Sequence, residues 1–238
     1  MNVYHISDFA ELVAGNPYVG RGIVAGQSED GKAVSAYFIM GRSANSRNRV
    51  FTVKDGEVFT APFDPSKVED PSLIIYAALR SFENDLVFTN GDQTDTVIEG
   101  LKTGKDFFTA LTSRDFEPDA PNFTPRISAR IHFENRSFTY DLSILKSADE
   151  KGSATARFGF SYPALPGVGH FIHTYMGDGN PLPTFQGEPE RVRIPASIDD
   201  FTSEIWNALN EDNRISLYLR YTDPETRQYQ ERLIHRYQ

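Results

Sequence analysis

The chain has 238 residues, of which 39% are hydrophobic and 13% aromatic, a composition typical of a globular protein with a buried core. Its formal net charge of −9 argues against a general nucleic-acid partner, because affinity for a phosphate backbone requires a basic surface. Because the chain has no cysteine, disulfides, thiolate catalysis and cysteine-based zinc sites are excluded.

The sequence shows no membrane or secretion signal. No apolar run approaches the ~18 residues that span a bilayer. The first residues lack the basic segment and apolar core of a signal peptide. We therefore expect a soluble, cytoplasmic protein with no membrane partner. Its oligomeric state is left open, a homo-oligomer included.

The first third of the chain is predicted to be β-rich. Residues 17–40 read as a hairpin whose second strand is apolar on both sides, as in a sheet that is buried on both faces. Residues 49–63 form a second predicted hairpin, since the Asp-Gly pair at its centre suits a tight turn.

The periodicity becomes helical after these hairpins. Apolar residues at helical spacing predict a helix over 70–82, with Pro71 in its first turn. A short strand at 85–91 precedes a second predicted helix at 94–113, which two internal glycines weaken or divide. We expect these two helices to pack together.

The rest of the chain alternates strands and turns, with one further helix. The predicted elements are a proline-rich loop at 116–125, a hairpin at 126–146, strands at 154–162, 168–176 and 191–195, a helix at 201–210 that Asp199 or Asp200 opens, and a final hairpin at 215–237. Many hairpins with a few grouped helices indicate the α+β class, with largely antiparallel sheets covered by helices, in one domain over 1–238.

A donor-rich stretch, YFIMGRSANSRNRVF, follows the first predicted hairpin. Arg42, Arg47 and Arg49 accompany Asn45 within a few residues. A guanidinium matches phosphate or carboxylate oxygens with two donors, so the stretch suits an anion site. The alternative is a solvated loop whose arginines pair with surface carboxylates, each contact contributing ~0–1 kcal/mol. Which arginine points inward is left open.

A second polar cluster, TNGDQTDT, lies between a predicted strand and a predicted helix. Asn90 and Gly91 suit a turn, and Asp92 or Thr94 suits the helix cap. A helix N-terminus also offers free amides to an anionic ligand. Both interpretations hold at this point.

A third cluster, EPDAPNFTPRI, is a loop stiffened by prolines. It carries Glu117, Asp119, Asn122, Thr124 and Arg126, a polar set of the kind that loops on a rigid scaffold present to ligands. The alternative is a rigid surface connection. Elsewhere the chemical signals are weak: two histidines three residues apart on a strand would point to opposite faces, so no metal site is predicted.

Five segments in order give the sequence a resemblance to a known family. They are NPYVGRGI (16–23), YFIMGRSANSRNR (37–49), IIYAALR (74–80), TNGDQTDT (89–96) and NFTPRISA (122–129). The chain resembles the archaeal-type IMP cyclohydrolase family over roughly its first 130 residues. From about residue 150 the chain has no counterpart in this resemblance, and a lid, an interface and no function are all left open.

The resemblance implies a four-layered αββα sandwich of largely antiparallel sheets, similar to N-terminal nucleophile hydrolases. It implies ring closure of 5-formamido-4-imidazolecarboxamide ribonucleotide to IMP with loss of water, in de novo purine biosynthesis. The implied enzyme is a hydrolase of the cyclic amidine class that needs no metal and no cofactor. Two alternatives are a non-catalytic purine-nucleotide-binding protein of the same fold and an amide hydrolase. Met1 followed by Asn2 speaks against the amide hydrolase, since neither is a nucleophile.

The resemblance also implies residue roles. Arg47, Tyr76 and Glu117 would be catalytic, although a tyrosine such as Tyr76 is more often part of a core. The implied substrate contacts are Arg42, Asn45, Asn90, Asp92, Thr94, Asp95, Asn122 and Arg126. In this hypothesis Arg42 and Arg47 hold the 5′-phosphate or the reacting oxygen. The ribose or base is contacted by Asn90, Asp92, Thr94 and Asp95, and the site is closed by Glu117, Asn122 and Arg126.

Overall fold

The computed structural model describes residues 4–68 and 75–237, which form two antiparallel sheets. The first sheet has the order β11-β10-β1-β2-β12-β13, built from β1 (Arg21–Gln27), β2 (Ala33–Met40), β10 (Val168–His173), β11 (Glu190–Arg193), β12 (Arg214–Thr222) and β13 (Tyr229–His235). The second runs from β3 to β9 in chain order, built from β3 (Val50–Lys54), β4 (Glu57–Ala61), β5 (Ala77–Phe82), β6 (Asp85–Thr89), β7 (Arg126–Glu134), β8 (Ser137–Ser147) and β9 (Thr155–Pro163). The α+β class and the antiparallel sheets are therefore confirmed.

The helices of the described residues are short. They are α1 (Phe9–Leu12), α2 (Ala44–Arg47), α3 (Gln93–Lys102), α4 (Phe107–Ala110) and α5 (Ile198–Ala208), with 3₁₀ turns at Pro65–Lys67 and Leu111–Ser113. None of the helices in the described part of the chain is long and apolar enough to cross a membrane.

Strand alternation divides the apolar residues between two faces of each sheet. In β2, Tyr37 and Ile39 belong to the cluster shared with the second sheet, whereas Phe38 and Met40 belong to the cluster shared with α1 and α5. This explains why all eight residues of β2 are buried. The inner face of the first sheet thus packs on the second sheet, and its outer face packs on helices.

The outer face of the second sheet packs on α3 and α4. Val87 of β6 joins Val97 and Ile98 of α3 and Phe107 of α4 in a third apolar cluster. Gly104 has a φ of +79° and separates the two helices, so the single helix predicted over 94–113 is divided. This division is the one that the internal glycines indicated.

The helix predicted over 70–82 is wrong where the structure describes it. Residues Ala77–Phe82 form β5, which pairs with β4 and β6, while residues 70–74 lie outside the described residues. A short apolar run fits both periods, and pairing on both sides outweighs its helical spacing. The predicted packing of two helices is wrong for the same reason, since α3 packs on β5 instead.

The helix predicted at 201–210 begins earlier than expected. Its cap is Ser197, whose Oγ accepts a hydrogen bond from the Asp200 amide at 3.2 Å, and the two aspartates lie in the first turn. The predicted hairpins, by contrast, all form: β1 with β2, β3 with β4, β7 with β8 and β12 with β13.

Close approach of β1 and β10 requires a glycine at position 26. A Cβ at Gly26 would lie within 3.0 Å of Gly169 Cα and Val168 O, which are backbone atoms of the paired strand. We expect Gly26→Ala to lower the free energy of unfolding by roughly 1–3 kcal/mol, because the strands must move apart. Chemical denaturation measures this loss. Gly177→Ala is the control, since its Cβ would meet nothing closer than 3.7 Å, and an equal loss in both variants would contradict the account.

Candidate functional site

A polar cluster lies at one end of the space between the sheets. We call it the inter-sheet polar cluster and define it as Arg21, Tyr37, Arg49, Tyr76 and Glu117. The cluster arises from strand alternation, in which residues two apart share a face. Three of its members each lie two residues before a residue of the inter-sheet core: Arg21 before Ile23, Arg49 before Phe51 and Tyr76 before Ala78. The inward row of each strand therefore begins with a polar residue at this end.

Arg21 is held by the neighbouring strand β10 and the residues that follow it. Its amide donates to Thr174 Oγ1 at 3.1 Å, and its carbonyl accepts from the Thr174 amide at 3.0 Å. Gly20 has a φ of +78°, and a Cβ there would overlap the side chains of Thr174 and Tyr175. A glycine before Arg21 is thus needed for the chain to enter the site.

Two guanidinium groups face a shared space in this cluster. The Nε atoms of Arg21 and Arg49 are both buried and have no hydrogen-bond partner among residues 4–68 and 75–237. Burial, followed by the charge of Arg21, lowers the pKa of Arg49. Burial also opposes the charge of Arg21, but Glu117 and nearby tyrosines raise the pKa of Arg21 above its usual value. Buried donors without partners are costly, so the pair is suited to an oxygen-rich ligand.

Glu117 provides the carboxyl of the cluster. Its amide donates to Thr124 O at 2.9 Å, and the residue is 6% exposed. Burial raises the pKa of the Glu117 carboxyl, although Arg21 and Arg126 pull it down. A carboxyl whose pKa is raised in this way holds a proton closer to neutral pH and can donate it.

Tyr37 and Tyr76 form a buried hydroxyl pair. Their oxygens are 2.7 Å apart, so one hydroxyl donates to the other. Tyr76 is fixed by its backbone, because its amide donates to Thr60 Oγ1 at 3.1 Å and its carbonyl accepts from the Thr60 amide at 3.0 Å. Burial raises the pKa of both phenols, so both remain neutral donors at physiological pH.

Aromatic residues form the wall beside Arg21. Tyr175 lies 2.5 Å from Thr124 through their hydroxyl oxygens, and its ring stacks on Tyr18 with centroids 5.9 Å apart. The guanidinium of Arg42 lies 5.0 Å from the Tyr18 ring centroid. Arg42 also pairs with Asp178, so it links this wall to the loop over 176–187. Part of the C-terminal region is therefore placed beside the candidate site.

Arg47 and Asn45, predicted from the same stretch as Arg49, lie apart from the inter-sheet polar cluster. Arg47 Nε donates to Gly41 O at 3.1 Å, and its Nη2 donates to Asn213 Oδ1 at 3.2 Å. Asn45 is exposed and lines a cleft of about 350 Å³. Of the three arginines, Arg49 is the one that turns into the inter-sheet space.

The residues predicted at 89–96 build the corner between β6 and α3. Asn90 Nδ2 donates to Pro125 O at 2.8 Å, and its Oδ1 accepts from the Ile127 amide at 2.9 Å. Thr94 Oγ1 lies 2.8 Å from Thr89 Oγ1. Asn90 thus ties the corner to β7, and Thr94 ties the start of α3 to the end of β6.

The charged residues of this corner are paired. Asp92 accepts from Arg126 Nη1 at 2.7 Å and also pairs with Arg114, while Asp95 lies 2.7 Å from Arg80 Nε. Asp92 therefore fixes Arg126, whose charge acts on Glu117.

Asn122 links two loops. Its Oδ1 accepts from the Leu182 amide at 3.1 Å. Both residues line a cleft of about 580 Å³ that Asp149, Thr184 and Gln186 also line. The structure thus places Asn122 in an open cleft, on the same loop as Glu117.

Sequence reasoning missed Arg21, Tyr37 and Tyr175, and it did not single out Arg49. The signal that could have found the first two is alternation, since each lies an even number of residues from an apolar position of its own strand.

The two histidines of β10 lie elsewhere: His170 Nδ1 is 2.7 Å from Tyr140 Oη, and His173 Nδ1 is 2.8 Å from Tyr175 O. No group of three or more metal-binding side chains occurs in the described parts of the chain.

The raised pKa of Glu117 predicts a pH-dependent stability. Its folded pKa lies above the ordinary value of 4.5, so the folded state binds more protons between these values. The stabilisation is fully present below pH 4.5 and is lost as pH rises through the folded pKa. The free energy of unfolding of the wild type, measured relative to that of Glu117→Gln, should therefore fall as pH rises from 4.5 through the folded pKa of Glu117.

Denaturation at several pH values measures this difference. The exposed residue Glu211 provides the control, as Glu211→Gln. A difference between wild type and Glu117→Gln that stays constant with pH would contradict the burial of an ionisable carboxyl.

Comparison with known proteins places the chain in a family. Residues 18–227 match the family model described as IMP cyclohydrolase-like protein, a match that extends well beyond the first 130 residues. IMP cyclohydrolase of Methanopyrus kandleri is 38% identical over 115 residues, 47% of this chain and 57% of that protein. That of Methanocaldococcus jannaschii is 32% identical over 114 residues, 47% and 55%. That of Methanococcus maripaludis is 31% identical over 146 residues, 58% and 71%.

These matches test the resemblance to the IMP cyclohydrolase family that the five sequence segments predicted. The chain spans about half the length of the curated relatives it matches first. The family model, however, covers most of the chain. The predicted resemblance is confirmed, and the chain belongs to the IMP cyclohydrolase-like family.

Proposed function

We propose that this protein is an IMP cyclohydrolase, which closes 5-formamido-4-imidazolecarboxamide ribonucleotide to IMP with loss of water in de novo purine biosynthesis. Family membership supports the reaction. The observation that carries the proposal is the inter-sheet polar cluster, where Arg21 and Arg49 have unpartnered donors beside a protonatable carboxyl and two phenols. The ligand is a small purine nucleotide, with no nucleic acid or membrane partner.

The reaction joins two groups of one molecule. The carboxamide nitrogen attacks the formyl carbon, a C–N bond forms as the carbonyl π bond breaks, and a proton passes from that nitrogen to the former carbonyl oxygen, which becomes a hydroxyl. Loss of that hydroxyl as water then gives the ring. Holding the nitrogen and carbon in contact supplies much of the acceleration, so a rigid site is a large part of the catalysis.

Arg21 and Arg49 are proposed to stabilise charge on the formyl oxygen. Their Nε donors are unpartnered in the described residues and lie between apolar sheets, where a charge-assisted hydrogen bond is stronger than in water. Tyr76, hydrogen bonded to Tyr37, is proposed as a further donor to this oxygen. These donors act mainly as the oxygen gains negative charge.

Glu117 is proposed as the acid that protonates the leaving hydroxyl. Its raised pKa keeps a proton available, and Arg21 nearby stabilises the carboxylate left behind. The same carboxylate then recovers a proton from the former formamido nitrogen, as that nitrogen forms a double bond to the new ring carbon, so the proton count balances over one turnover. All of these steps are assigned to side chains, without a metal or cofactor.

The other predicted residues are proposed to bind the rest of the nucleotide. Arg42, Arg47 and Asn45 are proposed for the phosphate end, with Arg42 beside Tyr18. The remaining contacts, proposed for the ribose or base or to close the site, are Asn90, Asp92, Thr94, Asp95, Asn122 and Arg126. Asp92 pairs with Arg126, and the charge of Arg126 lowers the pKa of Glu117. The corner between β6 and α3 is therefore proposed to act on the reaction indirectly, through Glu117.

We also infer a four-layered αββα sandwich similar to N-terminal nucleophile hydrolases, acting as one cytoplasmic domain. The order of the three apolar clusters supports the layers, since one lies between the sheets and the others lie between a sheet and helices. The shared inter-sheet core supports a single domain.

Purified protein mixed with the formamido ribonucleotide should form the hypoxanthine ring, which its ultraviolet absorbance reports. We expect turnover at neutral pH that EDTA leaves unchanged, because side chains supply each step. Tight binding of IMP without turnover would contradict catalysis and favour the alternative of a non-catalytic purine-nucleotide-binding protein.

Variants of two neighbouring arginines test which one contacts the reacting oxygen: Arg49, assigned from the structure, or Arg47, predicted from the sequence. We expect Arg49→Gln to lower kcat by about 10²–10³-fold, the cost of removing one donor to a developing oxyanion. Arg47→Gln should act chiefly on KM, because Arg47 already bonds Gly41 and Asn213. Steady-state kinetics measures both. A larger loss of kcat in Arg47→Gln would contradict the assignment of Arg49.

A further inference from the structure

The far end of the inter-sheet space, opposite the inter-sheet polar cluster, contains a second set of inward-facing polar residues. In β12, Arg220 and Thr222 alternate with Leu219 and Tyr221, which belong to the outer cluster, so both polar residues face the second sheet. Tyr76 directly precedes β5 and Ser81 lies near the other end of β5; the two are five residues apart, which gives roughly 16 Å at about 3.3 Å per residue. The two sets of residues are therefore separate.

Two hydroxyls at this far end are buried without partners. Thr222 Oγ1 and Ser35 Oγ form no hydrogen bond within the described part of the chain. Ser35 is the register partner of Arg220 on β2, and it shares the inward face with Tyr37. Buried hydroxyls without partners are rare in folded proteins and indicate a missing water or ligand.

Arg220 reaches this space from a fixed position. It is 3% exposed, its Nε donates to Tyr218 Oη at 2.7 Å, and its Nη2 donates to Gly56 O at 2.6 Å. Glu231 lies 3.5 Å from the same Nη2. These contacts leave Nη1 without a hydrogen bond among the described residues, and the guanidinium lies 3.9 Å from the Tyr229 ring centroid.

A cavity of about 190 Å³ opens onto these residues. Arg220, Thr222, Arg227, Phe133 and Tyr229 line it. Arg227 lies over the Phe133 ring at 4.1 Å and forms no ion pair within the described residues, so it adds a positive charge to the lining. The volume is too small for a nucleotide, since ligand pockets for drug-sized molecules begin at about 300 Å³. It has room for about six waters at ~30 Å³ each.

Carboxylates also line the cavity. Asp85 is already paired, with Oδ1 2.8 Å from His132 Nδ1 and 3.7 Å from Arg130 Nη1. Glu83 is exposed at the turn between β5 and β6. The cationic donors of the lining are the two guanidinium groups. The Thr222 hydroxyl is a neutral donor, as are the side chains of Ser81, Asn84 and Tyr229 in the same lining.

We propose that this cavity binds a small tetrahedral oxyanion of the phosphate class. Arg220 Nη1 and Arg227 donate to its oxygens, and Thr222 Oγ1 completes its hydrogen bonds from the floor of the cavity. The site is distinct from the inter-sheet polar cluster and does not depend on the proposed reaction.

Isothermal titration with inorganic phosphate tests the proposal in four proteins: wild type, Thr222→Val, Arg227→Gln and Arg136→Gln. We expect Thr222→Val and Arg227→Gln each to weaken phosphate binding about tenfold or more, because each removes a donor. Arg136→Gln is the matched control: it removes the same charge from the adjacent turn between β7 and β8, where Arg136 is exposed and pairs with Glu225 at 3.1 Å. It should bind phosphate as the wild type does.

Thermal unfolding supplies the second readout. Without phosphate, Thr222→Val should unfold at the wild-type temperature or above it, because it removes a buried hydroxyl that has no partner. Added phosphate should raise the Tm of the wild type more than that of Thr222→Val at the same phosphate concentration. Phosphate affinity that is unchanged in Thr222→Val and Arg227→Gln would overturn the proposal. Equal weakening in Arg136→Gln would also overturn it, since general charge would then explain the effect.

Discussion

Burial of two arginine side chains between the sheets is the constraint on which the candidate site depends. Arg21 and Arg49 enter the space because strand alternation continues beyond the apolar core. Each retains a buried Nε without a partner in the described residues, and the two charges oppose each other. Such an arrangement persists only if the surrounding sheets are rigid and a carboxyl lies nearby, and Glu117 provides it.

The surrounding loops hold this arrangement in place. Thr124 joins the Glu117 loop to Tyr175, and Asn122 joins it to Leu182. Arg42 and Asp178 connect the wall formed by Tyr18 to the C-terminal half of the chain. The site is thus assembled from distant segments, so its rigidity depends on the whole two-sheet core. That rigidity is what an intramolecular ring closure requires of a protein.

Hairpins were predictable because turn signals and alternation are local properties. The helix expected over 70–82 failed at β5, because pairing with β4 and β6 is a tertiary effect that a short apolar run does not encode. The motifs led to Tyr76 and Glu117, which the structure places in one cluster. They did not separate Arg49 from Arg47, since a turn through α2 decides which of the two faces inward. Asp92 pairs with Arg114, and Asn90 donates to Pro125 O; both partners lie more than 20 positions away along the chain, so no local sequence pattern predicts them.

The location of bound IMP tests the central claim most directly. A crystal structure of the complex should show the purine ring between the two sheets, with C2, the former formyl carbon, facing Arg21 and Arg49 and with Glu117 beside it. A water at the place of the departed formyl oxygen should then accept hydrogen bonds from the buried Nε atoms. IMP bound only at the exposed stretch of Arg42 and Asn45, with the inter-sheet polar cluster unchanged, would contradict this account.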